Sequence, residues 1–236
     1  MPTVNAITVR GLRHRWPRAS ADCLDLSSFD VPAGRSVFLH GPSGCGKSTL
    51  LGLLAGVLLP SRGQVEVLGA SWAAMPAGRR DRHRADHLGV VFQQFNLLPY
   101  LDALGNVLLP CRFSARRHDL AAREHGHPEA AARALLRHMG LPDAVATRRA
   151  AELSVGQQQR VAAARALIGA PELLIADEPT SALDAARRDD FIELLLDSTR
   201  RTGCTVVFVS HDERLAAHFD ERVSLPALNR APAEAA

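Results

Sequence analysis

Short apolar or alternating runs bounded by turn residues occupy residues 7–10, 37–40, 64–67, 89–92, 173–177 and 205–210, and each predicts a β-strand. The runs at 173–177 and 205–210 are apolar almost throughout. That pattern suits central strands of a parallel sheet covered on both faces. Helical periodicity follows at residues 48–58, 157–168 and 185–201, the last closed by Gly203 as a C-terminal stop. Strand, loop, helix, strand is the α/β order.

Between residues 94 and 152 the texture changes to alanine, arginine and leucine with few β-branched residues, which predicts an α-helical subdomain inserted into the sheet. No internal repeat or low-complexity linker breaks the chain, so the expectation is a single domain over residues 1–236. It should end in a tail from about residue 224, whose last residues, 231–236, look loose. The longest apolar run, residues 50–59, is closed by Pro60 and falls short of the roughly 20 residues a membrane-crossing helix needs. Residues 1–11 lack the basic start, apolar centre and cleavage site of a secretory signal, so a cytoplasmic location is expected.

Composition narrows the function classes. A formal charge of +3 is too small for a strong nucleic-acid footprint, and no nucleic-acid partner is expected. Arg79, Arg80, Arg82 and Arg84 form one basic cluster, which reads as a solvated face or a contact with anionic lipid or a partner. His83 and His87 stand four apart in it, as two metal ligands on one helix face would, but no third ligand is evident. The cysteines, Cys23, Cys45, Cys111 and Cys204, contain no C-x-x-C pair and are expected as reduced thiols. Among 28 lysines and arginines there is a single lysine, Lys47.

That lysine stands in Gly41-Pro-Ser-Gly-Cys-Gly-Lys-Ser48, which fits G-x-x-x-x-G-K-[ST] between a predicted strand and a predicted helix. Glycines let the backbone wrap closely around phosphates and turn N–H groups inward, and the helix N-terminus adds positive partial charge. The predicted nucleotide cradle is Gly41, Pro42, Ser43, Gly44, Cys45, Gly46, Lys47, Ser48 and Thr49. Lys47 supplies a compact mobile charge for the β- and γ-phosphates of ATP, and the Ser48 hydroxyl is a ligand for Mg2+. A second centre follows at Leu173-Leu-Ile-Ala-Asp177-Glu178, two acids at the end of an apolar strand, where parallel sheets present their ligand crevice. Asp177 is the natural partner for Mg2+, and Glu178 is placed to polarise an attacking water.

Leu153-Ser-Val-Gly-Gln-Gln-Gln-Arg160, one short helix upstream of Asp177, resembles the signature segment of ABC (ATP-binding cassette) ATPases. Ser154 followed by Gln157 is a capping box, so a helix should start here with its first N–H groups turned outward. The resemblance runs from about residue 7 to residue 223. It implies a P-loop NTPase core with a mostly parallel central sheet, an N-terminal antiparallel β subdomain and the inserted helical subdomain. It further implies that Ser154, Gly156 and Gln157 contact a γ-phosphate held by a second copy, so that two chains sandwich two nucleotides head to tail. By the same resemblance Gln93 is the Q-loop glutamine that senses Mg2+ and the attacking water. His211 is the switch histidine at the γ-phosphate, Trp16 the aromatic that stacks on adenine, and residues 181–184 the D-loop. One departure stands out: the family usually has two glycines where this chain has Val155 and Gly156. Valine is tolerable if it is the first helical residue, but it bears on how closely the second copy's nucleotide approaches.

ATP-driven closure of the two copies, followed by hydrolysis and reopening, is the expected work stroke, and it should pass to a separate integral membrane permease through the helical insert. The apolar segment Leu97, Leu98, Pro99, Tyr100 and Leu101 is the candidate docking surface. Residues 92–99 with 106–110 are similar in wording to the lipoprotein-release and macrolide-export branch, implying extrusion or mechanical signalling. Two alternatives stay open: a regulatory cassette controlling a cell-envelope process through a membrane partner, and a soluble ABC ATPase not linked to transport.

Overall fold

The computed structural model describes residues 4–181 and 185–231. It divides into two compact units, residues 1–84 with 205–236, and residues 85–204.

The first unit begins with long antiparallel strands. β1 (Asn5–His14) pairs with β2 (Leu24–Pro32), facing Val9 with Phe29 and Leu12 with Leu26. On its other edge β1 pairs antiparallel with β4 (Arg62–Val67), which pairs with the short β5 (Ala70–Ser71). Ile7, Val9, Leu12, Leu24, Leu26, Val65 and Val67 are buried and form one apolar face. The β1–β4 register slips between Arg10 and Arg13, at a crossing only glycine fits. A Cβ on Gly63 (φ +83) would lie 2.2 Å from the Gly11 carbonyl oxygen. These strands are the N-terminal antiparallel portion that the family resemblance implied.

Also in this unit β3 (Ser36–His40) lies between two parallel neighbours, β8 (Thr205–Val209) and β9 (Glu221–Ser224). Every residue of β3 and β8 is buried, as expected of strands covered on both faces. Phe38, Phe208 and Phe219 stack between them, with ring centroids 5.0–6.3 Å apart.

After β3 comes α1 (Lys47–Leu54). The predicted helix over 48–58 stops early because Gly56 turns left-handed, φ +67, and a Cβ there would strike the Trp72 ring at 2.9 Å. Trp72 is fully buried and donates its indole N–H to the Leu54 carbonyl at 3.1 Å. α2 (Ala77–His87) carries the arginine cluster and the chain into the second unit, and no α2 residue is buried. Among the described residues no group of three or more His, Cys, Asp or Glu is arranged to hold a metal.

Within the expected tail from about residue 224, residues 225–230 pack on the first unit, and residues 232–236 lie outside the described residues. α8 (Leu225–Leu228) buries Leu225 completely, and Asn229 bonds Asp25 N–H and the Cys23 carbonyl of β2 and its approach. The strands that the sequence pattern does not show are β2, the two-residue β5 and β9. The alternation of β2 slips at Ser27 and Ser28, and β9 reads Glu-Arg-Val-Ser with its two charged residues exposed.

In the second unit β6 (Leu88–Val91) pairs parallel with β7 (Leu173–Asp177). The block from 94 to 152 is helical as expected, with α3 (Ala103–Phe113), α4 (Ala115–His125) and α5 (Pro128–His138). Each starts on a side-chain cap: Asp102 accepts from Gly105 N–H, Ser114 from Arg117 N–H, and His127 from Ala130 N–H ahead of Pro128. α6 (Val155–Leu167) buries Val161, Ala162, Ala163, Ala164, Ala166 and Leu167, and α7 (Ala185–Thr202) follows β7. No helix among the described residues is long and apolar enough to cross a membrane.

Candidate functional site

The phosphate loop lies between β3 and α1, wholly in the first unit. Gly46 caps α1 in the left-handed region at φ +98, and a Cβ there would approach the Leu24 side chain to 2.8 Å. Gly44 is left-handed too, φ +81, so the backbone coils in a way L-residues resist. A Cβ on Gly41 would meet Cys45 Sγ at 2.7 Å and Pro226 Cδ at 2.9 Å. Pro226, at the start of α8, therefore helps wall the loop. Lys47 is buried, and its ammonium donates to the Gly41 and Pro42 carbonyls, each at 2.9 Å. The charge is thus held across the loop, while Ser48 in the first turn of α1 is exposed. N–H groups at a helix start beside a tethered ammonium make an anion cradle.

Trp16 follows β1 in the same unit, is 44% exposed, and meets the His14 ring edge-on at 5.3 Å. It lines an open pocket of about 620 Å3 with Arg13, Arg15, Arg18, Asp22 and Arg62. An exposed aromatic face framed by guanidinium groups suits a flat, anionic ligand. His211 is exposed just beyond β8.

In the second unit β7 delivers Asp177 and Glu178, both half-buried. Glu178 has φ +43, a left-handed conformation that a non-glycine residue adopts at a cost of about 1–2 kcal/mol. Such conformations cluster at active sites and ligand clamps.

The capping box at Ser154 is present: Gln157 N–H donates to Ser154 Oγ at 3.3 Å, and Ser154 N–H to Gln157 Oε1 at 3.0 Å. Val155 is the first helical residue, its φ is negative, and its side chain is 51% exposed. With Gln157 Oε1 turned to the cap, its Nε2 amide is left as a donor, so an anion at this tip would meet the N–H groups of Val155 and Gly156, the Ser154 hydroxyl and the Gln157 amide.

Gln93 is exposed two residues beyond the end of β6, which stops at Val91 rather than at residue 92. The turn after it is left-handed at two successive residues, Phe95 (φ +59) and Asn96 (φ +49). Arg165 of α6 donates to both of their carbonyls, at 2.5 and 2.6 Å, and burial lowers its pKa. Farther along, the fully buried Asn106 accepts from Leu98 N–H and donates to the Leu98 and Asp102 carbonyls. Of the expected docking segment, Tyr100 is 70% exposed and Pro99 exposed, whereas Leu97, Leu98 and Leu101 are half-buried.

Sequence reasoning missed these supports. Asn106 could have been noticed as a lone amide among Val107, Leu108 and Leu109, but Arg165 is one arginine among many. Arg117 gave no signal either. It is 2% exposed, donates to the Leu88, Ala166 and Ile168 carbonyls, and is lowered by burial to about 10. Residues 182–184 of the expected D-loop lie outside the described residues; Ser181 is an exposed turn residue.

The sequence profile of the ABC transporter family matches residues 24–181. The chain is 46% identical over 197 residues to the lipoprotein-releasing system ATP-binding protein of Anaeromyxobacter dehalogenans, covering 83% of this chain and 79% of that one. It is 36% identical over 223 residues to a macrolide export ATP-binding/permease protein of Rhodopseudomonas palustris, covering 94% of this chain and only 33% of that longer protein. Its fold superposes on a solved dimeric bacterial ABC transporter cassette with TM-score 0.83 and 31% identity, covering 98% and 99% of the two chains. A post-hydrolysis dimer of that cassette with ADP and Pi superposes with TM-score 0.79, at the same identity and coverage. By its phosphate loop, its capped signature helix and these likenesses, the chain belongs to the ABC transporter family.

Proposed function

We propose that this chain binds and hydrolyses ATP as the nucleotide-handling subunit of a membrane transporter, working as a head-to-tail dimer of two copies. The observation that carries the reading is that one chain presents two anion-seeking helix starts, α1 behind the phosphate loop and α6 behind the Ser154 capping box. A solvent-facing helix start, with Ser154 and Val155 exposed, readily exchanges water for an anion, and a second copy's nucleotide supplies one.

In this mechanism the loop N–H groups and Lys47 hold the β- and γ-phosphates, and the partner copy's α6 start closes on the terminal phosphate. Glu178 accepts a proton as water attacks the γ-phosphorus in line; the bond to the β-phosphate oxygen breaks, giving ADP and Pi. His211 and Gln93 contact the γ-phosphate and the water, and Trp16 stacks on adenine. Ser48, Asp177 and Gln93 offer only oxygen donors, the set that Mg2+ takes, and they would hold it. Held there, Mg2+ would supply charge neutralisation to the phosphate oxygens.

Closure of the dimer is the work stroke, delivered to a separate permease through the exposed Pro99 and Tyr100 region, with the chain at the cytoplasmic face of the membrane. The similarity to lipoprotein-release and macrolide-export proteins supports extrusion or mechanical signalling as the output. Val155, exposed at the α6 tip, favours one variant of the reading, a slow regulatory cassette, in which Val155→Gly raises turnover. The dimer is tested with Glu178→Gln: light scattering should report a dimer at saturating Mg-ATP that Lys47→Ala abolishes. A Glu178→Gln chain that stays monomeric there would sink the sandwich.

A further inference from the structure

The strand that carries the phosphate loop ends on a histidine, His40, whose side chain is 11% exposed. Its ring is held from two sides by groups from different elements of the first unit. Arg222 of β9 donates its Nε–H to His40 Nε2 at 3.1 Å. A guanidinium only donates, so Nε2 accepts and the ring proton sits on Nδ1. Nδ1 in turn faces the Glu213 carboxylate at 3.2 Å, and Glu213 also accepts from Arg222, closing a three-membered ring of contacts. His40 further stacks on Phe38 at 6.1 Å, which fixes its plane.

Glu213 stands two residues after His211 and opens the 3-10 turn Glu213–His218. Ahead of it the backbone is pinned: Ser210 N–H donates to the Leu39 carbonyl at 3.3 Å, and Asp212 N–H to Ser210 Oγ at 3.1 Å. His211 is therefore the residue between a strand end tied to β3 and a turn tied to the side chain at the very end of β3. That arrangement leaves its backbone little freedom relative to Gly41, which follows His40 directly.

We infer that Glu213 is a positioning residue, which through His40 and Arg222 sets the height of His211 over the phosphate loop and so tunes its contact with the γ-phosphate. The inference rests on the reading above that His211 makes that contact. Glu213 acts through the segment it anchors, by its contacts to His40 and Arg222. Its side chain is 58% exposed, so substitution there leaves the apolar core intact.

The test is a double-mutant cycle on Mg-ATP hydrolysis with nucleotide affinity measured in parallel, using Glu213→Ala, Glu213→Gln and His211→Ala. Misplacing a reacting contact by about 1 Å costs up to about 100-fold, so Glu213→Ala should lower kcat by about 10- to 100-fold with ATP affinity within about twofold. Glu213→Gln, which keeps an acceptor for the His40 Nδ1–H, should fall between that variant and the parent. In the His211→Ala background, Glu213→Ala should add almost nothing, because residues acting as one unit are not additive. A full additional loss in that background, or weakened ATP affinity with unchanged kcat, would overturn the positioning role. A fully active His211→Ala would refute the γ-phosphate contact itself, a separate failure read in the same experiment.

Discussion

Arg165→Met removes both donors that hold the turn after Gln93, and its consequence follows from the geometry. The guanidinium bonds the Phe95 and Asn96 carbonyls at 2.5 and 2.6 Å. Hydrogen bonds from a charged donor contribute about 1.5–3 kcal/mol each, so the pair supplies about 3 kcal/mol or more. It works against a left-handed backbone costing about 1–2 kcal/mol per ordinary residue, most of it at Phe95, because asparagine tolerates this region. With the clamp gone, that 1–2 kcal/mol favours relaxation of the turn, a shift of about 5- to 30-fold in population. Because Gln93 lies two residues before Phe95, kcat should fall by the same about 5- to 30-fold. Arg165 acts on the turn and not on the phosphate loop, so ATP affinity should change by no more than about twofold. Arg165→Lys, a point charge able to reach one carbonyl well, should be intermediate. Steady-state ATPase rates and equilibrium nucleotide binding, with thermal unfolding as a fold control, decide it. A folded Arg165→Met chain with unchanged kcat would refute the clamp.

Further outcomes concern the loop, the buried arginine and a thiol. Lys47→Ala should weaken ATP binding by about 10- to 100-fold, the loss of one charged donor, and Lys47→Arg should fail to restore it because a planar fork does not replace an ammonium tucked against Gly41 and Pro42; calorimetric titration measures both. Arg117→Ala leaves three buried carbonyls without their donor at about 1–3 kcal/mol each, partly offset by relief of a buried charge, so a net loss of about 3 kcal/mol is expected in urea unfolding, and a change under about 0.5 kcal/mol would contradict it. Burial pushes the Cys204 thiol up to about 12, from an ordinary 9.0. A raised thiol pKa favours the neutral folded form, so this contribution is whole below pH 9 and drains away between about pH 9 and 12 by about 1.4 kcal/mol per unit; Cys204→Ala should flatten that slope in unfolding midpoints measured from pH 8 upward.

The parts legible in the sequence are those whose physics is local. The phosphate loop declares itself because left-handed glycines, a lysine and a helix start fall within eight consecutive positions. The α6 start is equally plain, since a capping box joins residues only three apart. β3, β7 and β8 are readable because burial on both faces demands unbroken apolar runs. β2 and β9 escaped because a two-serine slip and an exposed charged strand mask their period. The supports of the site were illegible for another reason. Arg165 meets residues about 70 positions away, and the His40, Glu213 and Arg222 contacts span 182 positions. In a chain with one lysine and otherwise only arginine for positive charge, nothing in residue type separates a clamp from a solvated side chain. Sequence alone determined which backbone can cradle phosphate and which helix start faces outward, because those depend on neighbours in the chain. Only tertiary structure decided which arginine is buried, which histidine is tied, that Pro226 walls the phosphate loop and that Asn229 and Arg230 brace β2, because burial and pairing are set by what folding brings together.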